Sequence, residues 1–197
     1  MILLEIVQLG ELQNFCRALD RIAGAGLPTG EAAAQAAEAM APLLQVDAWL
    51  PEPWAASSPE RYQQHLLYCD PQGRFSVVSF VWGPGQRTPI HDHGGLWGVV
   101  GVLRGAETST RYAREADGSL ATGECTTLVA GMIDILDPAS GDIHAVDNAL
   151  PDAVSVSIHA YGGDIGTIER SSFDPDGTAH RFVSRYSAQG PLLEALH

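Results

Sequence analysis

His91 and His93 flank a single aspartate in the run His91-Asp92-His93. In a β-strand, residues two apart point to the same face, so a strand through this run would aim both imidazoles at one point and turn Asp92 away. Imidazole is the commonest protein ligand for metals, and a pair on one face is the start of a metal site. A later histidine, His144, lies in the run Pro138-x-x-Gly141-x-x-His144-x-x-x-Asn148 and is the candidate third ligand. A second group has the same spacing: Ser157, His159 and Tyr161 alternate along one segment. Facing an interior, they would form a line of hydrogen bonds from hydroxyl to imidazole to phenol, with the phenol able to donate to a ligand of the metal. Facing solvent, they would be ordinary β alternation.

Those side chains need a scaffold, and 197 residues with 45% hydrophobic and 18% charged content suffice for one domain with a sizeable core. Residues 1–64 read as a mostly helical section and residues 65–185 as a β-barrel within that single domain. Leu12, Phe15, Cys16, Leu19 and Ile22 recur at helical spacing. The stretch from Gly24 to Gly30 breaks the pattern. Thr29-Gly30-Glu31 then opens an alanine-rich helix to about Met40, which Pro42 ends. A further short helix is predicted from Pro59 to Gln64. After about residue 65 the texture changes to short runs rich in β-branched and aromatic residues: Phe75 to Trp82, Trp97 to Leu103, Thr108 to Tyr112, Met132 to Leu136 and Ala153 to His159. Turn chemistry in Asp70-Pro71-Gln72-Gly73, Ala116-Asp117-Gly118 and Pro138-Ala139-Ser140-Gly141 separates them. The expected fold is mainly β, a sandwich or barrel with the N-terminal helices covering one face.

The formal net charge of −13 runs against nucleic-acid binding, which needs a basic footprint, and equally against an anionic membrane surface. It also means that an anionic substrate requires a local cation to overcome the background field. The opening Met1-Ile2-Leu3-Leu4-Glu5 lacks a basic leader region, and no apolar run approaches the roughly 18 residues of a membrane span. A cytoplasmic protein, monomeric or a weak homo-oligomer, is expected. Cys16, Cys69 and Cys125 are an odd number without close pairing, which argues against a disulfide framework or zinc ribbon and predicts buried thiols.

The two histidine stretches, with Gly85 six residues before His91 and Gly105 twelve after His93, resemble the paired metal-binding motifs of the cupin superfamily. The first of those motifs ordinarily carries a glutamate ligand a few residues after its second histidine. Gly98 stands there, leaving His91, His93 and His144 as three neutral ligands. A frequent ferrous oxygenase site uses two histidines and one carboxylate. A third imidazole in place of the carboxylate leaves the metal's double charge uncompensated and favours anionic ligands such as a thiolate. Three histidines suit zinc as well, and the ligand set does not choose between the metals.

With Ser157-x-His159-x-Tyr161 added, the segment from about Tyr62 to Arg170 resembles the thiol dioxygenases, the cupin family that includes cysteine dioxygenase and 3-mercaptopropionate dioxygenase. The resemblance implies a jelly-roll-like cupin β-barrel, one Fe(2+) on His91, His93 and His144, catalytic roles for Tyr161, His159 and Ser157, and oxidation of a small thiol to a sulfinate by O2 without an organic cofactor. Mammalian-type cysteine dioxygenase has an arginine on the segment entering the barrel, which grips the substrate carboxylate, and a cysteine cross-linked to the active-site tyrosine. In this sequence Gln64 takes the place of that arginine and Gly98 the place of that cysteine, so Tyr161 is expected to be free of a cross-link. In the mercaptopropionate-type enzymes an arginine downstream of the tyrosine serves the carboxylate, and Arg170, eleven residues after His159, fits that place. Arg87 and Arg104 compete for the role. The resemblance therefore points to 3-mercaptopropionate, with L-cysteine as the alternative substrate and a non-catalytic metal-binding cupin as the alternative class. Trp82 and Trp97 are expected in or near the barrel, Trp97 as a candidate for the pocket wall. His65 is expected to be structural, and His180 and His197 to be solvated.

Overall fold

The computed structural model describes residues 9–187 and 190–196. The apolar opening run and His197 lie outside the described residues. Helix α1 (Gly10–Gly24) buries Leu12, Phe15, Cys16, Leu19 and Ile22, the five residues picked out by periodicity. Helix α2 (Thr29–Met40) buries Ala32, Ala33, Ala36 and Met40, a stripe of mostly small side chains that lets the helix lie close to what it covers. Pro42 turns its end into a single 3-10 turn, Ala41–Leu44. A four-residue helix α3 (Glu52–Ala55) follows, with a proline in its first turn. The helix predicted from Pro59 to Gln64 does not form. Gln63 and Gln64 instead pair with Val81 and Phe80 as the first rungs of a β ladder, whose inter-strand hydrogen bonds outweigh a weak local preference.

Eleven strands follow among the described residues: β1 (Gln63–Cys69), β2 (Ser76–Trp82), β3 (Ile90–His91), β4 (Gly98–Arg104), β5 (Ala106–Arg114), β6 (Leu120–Val129), β7 (Ile133–Leu136), β8 (His144–Asn148), β9 (Ser155–Tyr161), β10 (Arg170–Phe173) and β11 (Ala179–Phe182). They form two antiparallel sheets, a five-stranded one in the order β1-β2-β9-β4-β7 and a six-stranded one in the order β11-β10-β3-β8-β5-β6. The mainly β, jelly-roll-like architecture expected from the sequence is the observed one.

Burial explains the sequence texture. Every residue of β2 and β9 is buried, because the five-stranded sheet is covered on both faces. On its outer face Val77, Val81, Val99, Val156, Ile158 and Ala160 pack into one core with the buried stripes of α1 and α2. On its inner face Val78, Phe80, Trp82 and Tyr161 meet Val146 of β8 and Ile165 in a second core. Each fully buried Val, Leu or Phe contributes roughly 1.5–3 kcal/mol of transfer free energy, so these two layers dominate stability. The six-stranded sheet has a solvated outer face, and the middle of β6 is exposed. That placement corrects the expectation of three buried thiols. Cys16 is buried in α1, but Cys69 is half-buried and Cys125 is exposed on β6, and all three are free. Among the described residues no helix is long and apolar enough to cross a membrane.

Gly162, directly after β9, marks a close approach: a Cβ there would lie 2.2 Å from Trp97 Nε1 and 2.6 Å from Trp97 Cδ1. Trp97 belongs to the core shared with the helices, so its indole cannot swing aside. Gly162→Ala is expected to destabilise the fold by about 1–3 kcal/mol, the usual cost of overpacking, read as a lower urea midpoint at unchanged m-value.

Candidate metal centre

Strand β3 ends at His91, and His93 lies beyond it. The two histidines therefore do not share one regular strand, as the sequence suggested. Asp92 Oδ1 accepts hydrogen bonds from the backbone N–H groups of Gly94 and Ser171, at 3.1 and 3.0 Å, which ties the segment after β3 to β10. Gly94 takes a φ of 64°, and a Cβ there would lie 2.9 Å from Ile168 Cγ2 and 3.0 Å from the Glu169 carbonyl. A bare backbone at this point lets the chain turn and lets the segment carrying Arg170 pack against it.

The three imidazoles nonetheless converge. His91 is paired with His144 across the β3–β8 ladder. One ligand-capable nitrogen from each of His91, His93 and His144 lies within 4.8 Å of the others, and the ring centroids are 4.8 to 5.1 Å apart. The opposite ring nitrogens are engaged. His91 Nδ1 meets the Pro89 carbonyl at 3.0 Å, His93 Nδ1 meets Asp142 Oδ2 at 3.0 Å, and His144 Nδ1 meets Ser109 Oγ at 3.3 Å. His93 Nε2 is fully buried and has no hydrogen-bond partner among the described residues. A carbonyl, carboxylate or hydroxyl on one nitrogen fixes the tautomer and turns the other nitrogen toward the shared centre, the outer arrangement typical of metal-ligating histidines.

Electrostatics agree with that arrangement. Burial pushes the His91 imidazolium down to about 3, aided by repulsion from His93 and Arg170. Burial also lowers His93, although Asp142 pulls it back, and it holds His144 well below the ordinary range. All three rings are thus neutral and have a lone pair to donate. The donor set fits a divalent transition metal bound by three nitrogens, with no carboxylate where Gly98 stands. A Cβ at Gly98 would be 3.1 Å from ring carbons of Tyr161, so glycine also leaves the phenol ring without a sulfur neighbour.

Ser157, His159 and Tyr161 face the interior together. Ser157 Oγ is 2.8 Å from His159 Nε2, and His159 Nδ1 is 2.8 Å from Tyr161 Oη. Trp82 Nε1–H donates to Ser157 Oγ at 3.2 Å, and Phe80 stacks on the His159 ring at 4.0 Å between centroids. The Tyr161 ring stacks beside His93 at 5.7 Å, which brings the end of the line to the histidine cluster. Burial raises the phenol above its ordinary range, with Arg170 opposing, so Tyr161 keeps its proton and can donate it in a hydrogen bond.

Arg170, at the start of β10, is 3% exposed. It lines a narrow cavity with His91, Gln64, Tyr62, Thr88 and Phe182. Its guanidinium carbon sits 4.9 Å over the Phe182 ring, and its Nε is buried without a hydrogen-bond partner among the described residues. Among the described residues no ion pair engages it. Gln64 Oε1 is likewise buried without a partner. This inner cavity shares Tyr62, Gln64, Pro89 and Phe182 with an outer one of about 280 Å³, which continues past Arg61 and Arg185. The competitors for Arg170 lie elsewhere. Arg87 is exposed near Asp147, and Arg104 pairs with Asp47 at 2.9 Å. His65 contacts the Ala56 carbonyl, and His180 pairs with Asp174 at the surface. Trp97 packs in the helix-side core and does not line the Arg170 cavity.

Sequence reasoning missed Asp142, Ser109 and the Pro89 carbonyl. Asp142 stands two residues before His144, and a carboxylate beside a candidate ligand is a signal for an orienting partner. Ser109 and the Pro89 carbonyl left no such signal, because β5 and the turn before β3 meet the histidines only in the fold.

A family profile described as cysteine dioxygenase type I matches residues 31–174. Among solved structures the chain is similar to a protein from Thermus thermophilus, at 20% identity over 57% of this chain and 92% of the other, with a TM-score of 0.45. It is similar to a conserved Klebsiella pneumoniae protein with a double-stranded β-helix domain, at 20% identity over 57% and 85% of the two chains and a TM-score of 0.43. It is also similar to a cupin domain from Schizosaccharomyces pombe, at 11% identity over 58% and 68%, with a TM-score of 0.44.

Asp142 provides the test of this centre. Its carboxylate accepts from both the backbone N–H and the ring of His93, and those hydrogen bonds hold it below the usual carboxylate range although burial pushes the other way. Asp142→Asn is expected to weaken divalent-metal binding roughly 10- to 100-fold, the typical loss on removing an orienting carboxylate, with the far-ultraviolet circular dichroism unchanged. Competition against a chelator of known affinity measures it.

Proposed function

The chain belongs to the cysteine dioxygenase type I family, and on that premise we propose that it is a non-haem Fe(2+) thiol dioxygenase that oxidises 3-mercaptopropionate to 3-sulfinopropionate. Both oxygen atoms of O2 enter the product: the thiol sulfur is oxidised, dioxygen is reduced, and the carbon skeleton and carboxylate are unchanged. Ferrous iron held by His91, His93 and His144 supplies the redox chemistry that lets dioxygen react with a thiolate.

The observation that carries the reading is the buried guanidinium of Arg170, which has no ion pair among the described residues and lies in the same cavity as His91. A buried charge without a partner is costly, so a guanidinium kept in this state signals an anionic partner that arrives from outside. A small thiol bearing a carboxylate answers that demand. Its carboxylate takes two parallel hydrogen bonds from Arg170, and its sulfur reaches toward the histidine cluster. Gln64 adds a neutral amide to the same pocket wall without a second charge. Tyr161, held by His159 and Ser157, donates a hydrogen bond where negative charge develops, and Phe80 and Trp82 keep that line dry.

The preference for 3-mercaptopropionate over L-cysteine rests on charge. Cysteine brings an α-ammonium group into the cavity, and among the described residues no carboxylate lines it. An ammonium buried there without an anion carries a desolvation cost that 3-mercaptopropionate avoids.

Oxygen uptake by iron-loaded protein with 3-mercaptopropionate, L-cysteine and cysteamine tests the reading. The highest kcat/KM is expected for 3-mercaptopropionate; uptake with none of the three would overturn it. Loss of a charge-assisted bidentate contact costs about 2–4 kcal/mol, so Arg170→Gln is expected to raise the KM for 3-mercaptopropionate roughly thirtyfold to several-hundredfold. Metal content and the KM for cysteamine, which lacks a carboxylate, should be unchanged. His144→Ala is expected to lose both iron and uptake.

A further inference from the structure

The line of hydrogen bonds does not end at Ser157. Glu107, on β5 in the opposite sheet, is 1% exposed. Its Oε1 is 2.9 Å from Ser155 Oγ, and the same serine oxygen is 3.1 Å from the Arg104 carbonyl. Its Oε2 is fully buried and has no hydrogen-bond partner among the described residues, and the Ser157 hydroxyl and the Trp82 indole are polar neighbours of the carboxyl. Hydrogen supply now constrains the arrangement, because each serine has one hydroxyl hydrogen. If Glu107 is protonated, it donates to Ser155, and Ser155 donates to the Arg104 carbonyl. Ser157, already accepting from Trp82, is then free to donate to His159 Nε2. His159 carries its own hydrogen on Nδ1 and donates it to Tyr161, and Tyr161 can turn its hydroxyl hydrogen outward. If Glu107 is ionised, its carboxylate draws the Ser157 hydrogen. His159 must then donate from Nε2, its bare Nδ1 accepts from Tyr161, and the phenol hydrogen is withdrawn. Each of the three groups still carries one hydrogen; only the Glu107 proton has left, to solvent.

We propose that Glu107 is a positioning residue for the Ser157–His159–Tyr161 line: in its protonated form it leaves Ser157 to donate to His159, and so holds the tautomer in which Tyr161 can aim its hydroxyl hydrogen at the histidine cluster. The surroundings bias it toward that form. Ser155 and Ser157 face it from β9 and Trp82 from β2. Across the ladders it is paired with Asn148 of β8 and Leu128 of β6, and the Asn148 amide is spent on the carbonyls of Trp82, Gly83 and Ala153. None of these groups is charged; the titratable groups that share the interior with it are His159 and Tyr161 of the line, the histidines of the cluster, which are held neutral, and the cationic Arg170 beside them. Burial pushes the Glu107 carboxyl up to about 7, with the hydrogen bond from Ser155 and the nearby Ser157 hydroxyl and Trp82 indole opposing, so both forms are accessible near neutrality. The raised value means the acid is protonated below that point and ionises as pH rises through it. The competent tautomer is therefore lost on the alkaline side. His159 itself stays neutral throughout, because burial holds it well below its ordinary range.

The proposal rests on Tyr161 acting as a donor in the proposed reaction, but its first test does not need turnover. Nitrogen-15 shifts of His159 in zinc-loaded, diamagnetic protein report which ring nitrogen carries the hydrogen. In the unmodified protein the hydrogen is expected on Nδ1 in mildly acidic buffer and on Nε2 in mildly alkaline buffer. Glu107→Gln copies the protonated acid, with an N–H donor toward Ser155 and a neutral carbonyl toward Ser157, and is expected to keep the hydrogen on Nδ1 across the range. In iron-loaded enzyme, kcat is expected to fall about tenfold per pH unit above the midpoint, as for one essential protonated group, and this limb is expected to vanish in Glu107→Gln. A His159 tautomer that does not change with pH in the unmodified protein overturns the proposal. An alkaline limb that persists unaltered in Glu107→Gln also overturns it. Absence of oxygen uptake with every thiol would sink the proposed function instead, while the shift measurement would still decide the role of Glu107.

Discussion

Three imidazoles can share one metal only if all three are neutral and each is turned so that one nitrogen faces the common centre. Both conditions depend on the barrel interior. Removal from water holds the rings neutral, and a separate acceptor or hydroxyl on each Nδ1 sets the orientation. The anchors come from different places: the Pro89 carbonyl before β3, Asp142 before β8, and Ser109 on β5. No one strand is able to supply them. Closure of the six-stranded sheet around β3, β8 and β5 is what assembles the centre, and the positive-φ turn at Gly94 brings β10 and its arginine alongside.

Strand β9 shows how the same fold serves stability and polarity together. It lies in the middle of the five-stranded sheet, with β2 and β4 as its neighbours. Its outward residues Val156, Ile158 and Ala160 belong to the core under the helices. Its inward residues Ser155, Ser157, His159 and Tyr161 are all buried and all hydrogen-bonded. A polar row in an interior is tolerable when each member has a partner, and a central strand with ladders on both sides holds such partners in register. The helices contribute to the site through this sheet, by covering the outer face of the strands that carry it.

Charge is distributed against the protein's average. The chain carries a formal −13, yet the group beside the histidine cluster is a buried guanidinium with no ion pair among the described residues. In a region of low dielectric that single cation outweighs distant, screened surface carboxylates. The pocket is therefore locally cationic within an otherwise acidic molecule.

Local pattern carried much of this. Residues spaced two apart are on one face wherever the chain is extended, so Ser157, His159 and Tyr161 were legible as a line, and the apolar stripe of α1 was legible from its helical period. The histidine run and its companion at His144 were legible as donors from residue type alone. What local pattern did not carry depends on contacts distant in the chain. The strands β3, β8, β10 and β11 have four, five or fewer residues and exist only because a neighbour pairs with them. The helix predicted at Pro59 to Gln64 gave way to pairing with β2 for the same reason. That Arg170 points inward is a matter of which face β10 buries, whereas Arg87 stands exposed before β3 and Arg104, at the end of β4, reaches out to Asp47. Sequence chemistry determined which groups are available. Tertiary packing alone decided which of them are desolvated together, and desolvation is what makes three histidines neutral donors, buries an arginine without an ion pair among the described residues, and places Glu107 at the end of the line.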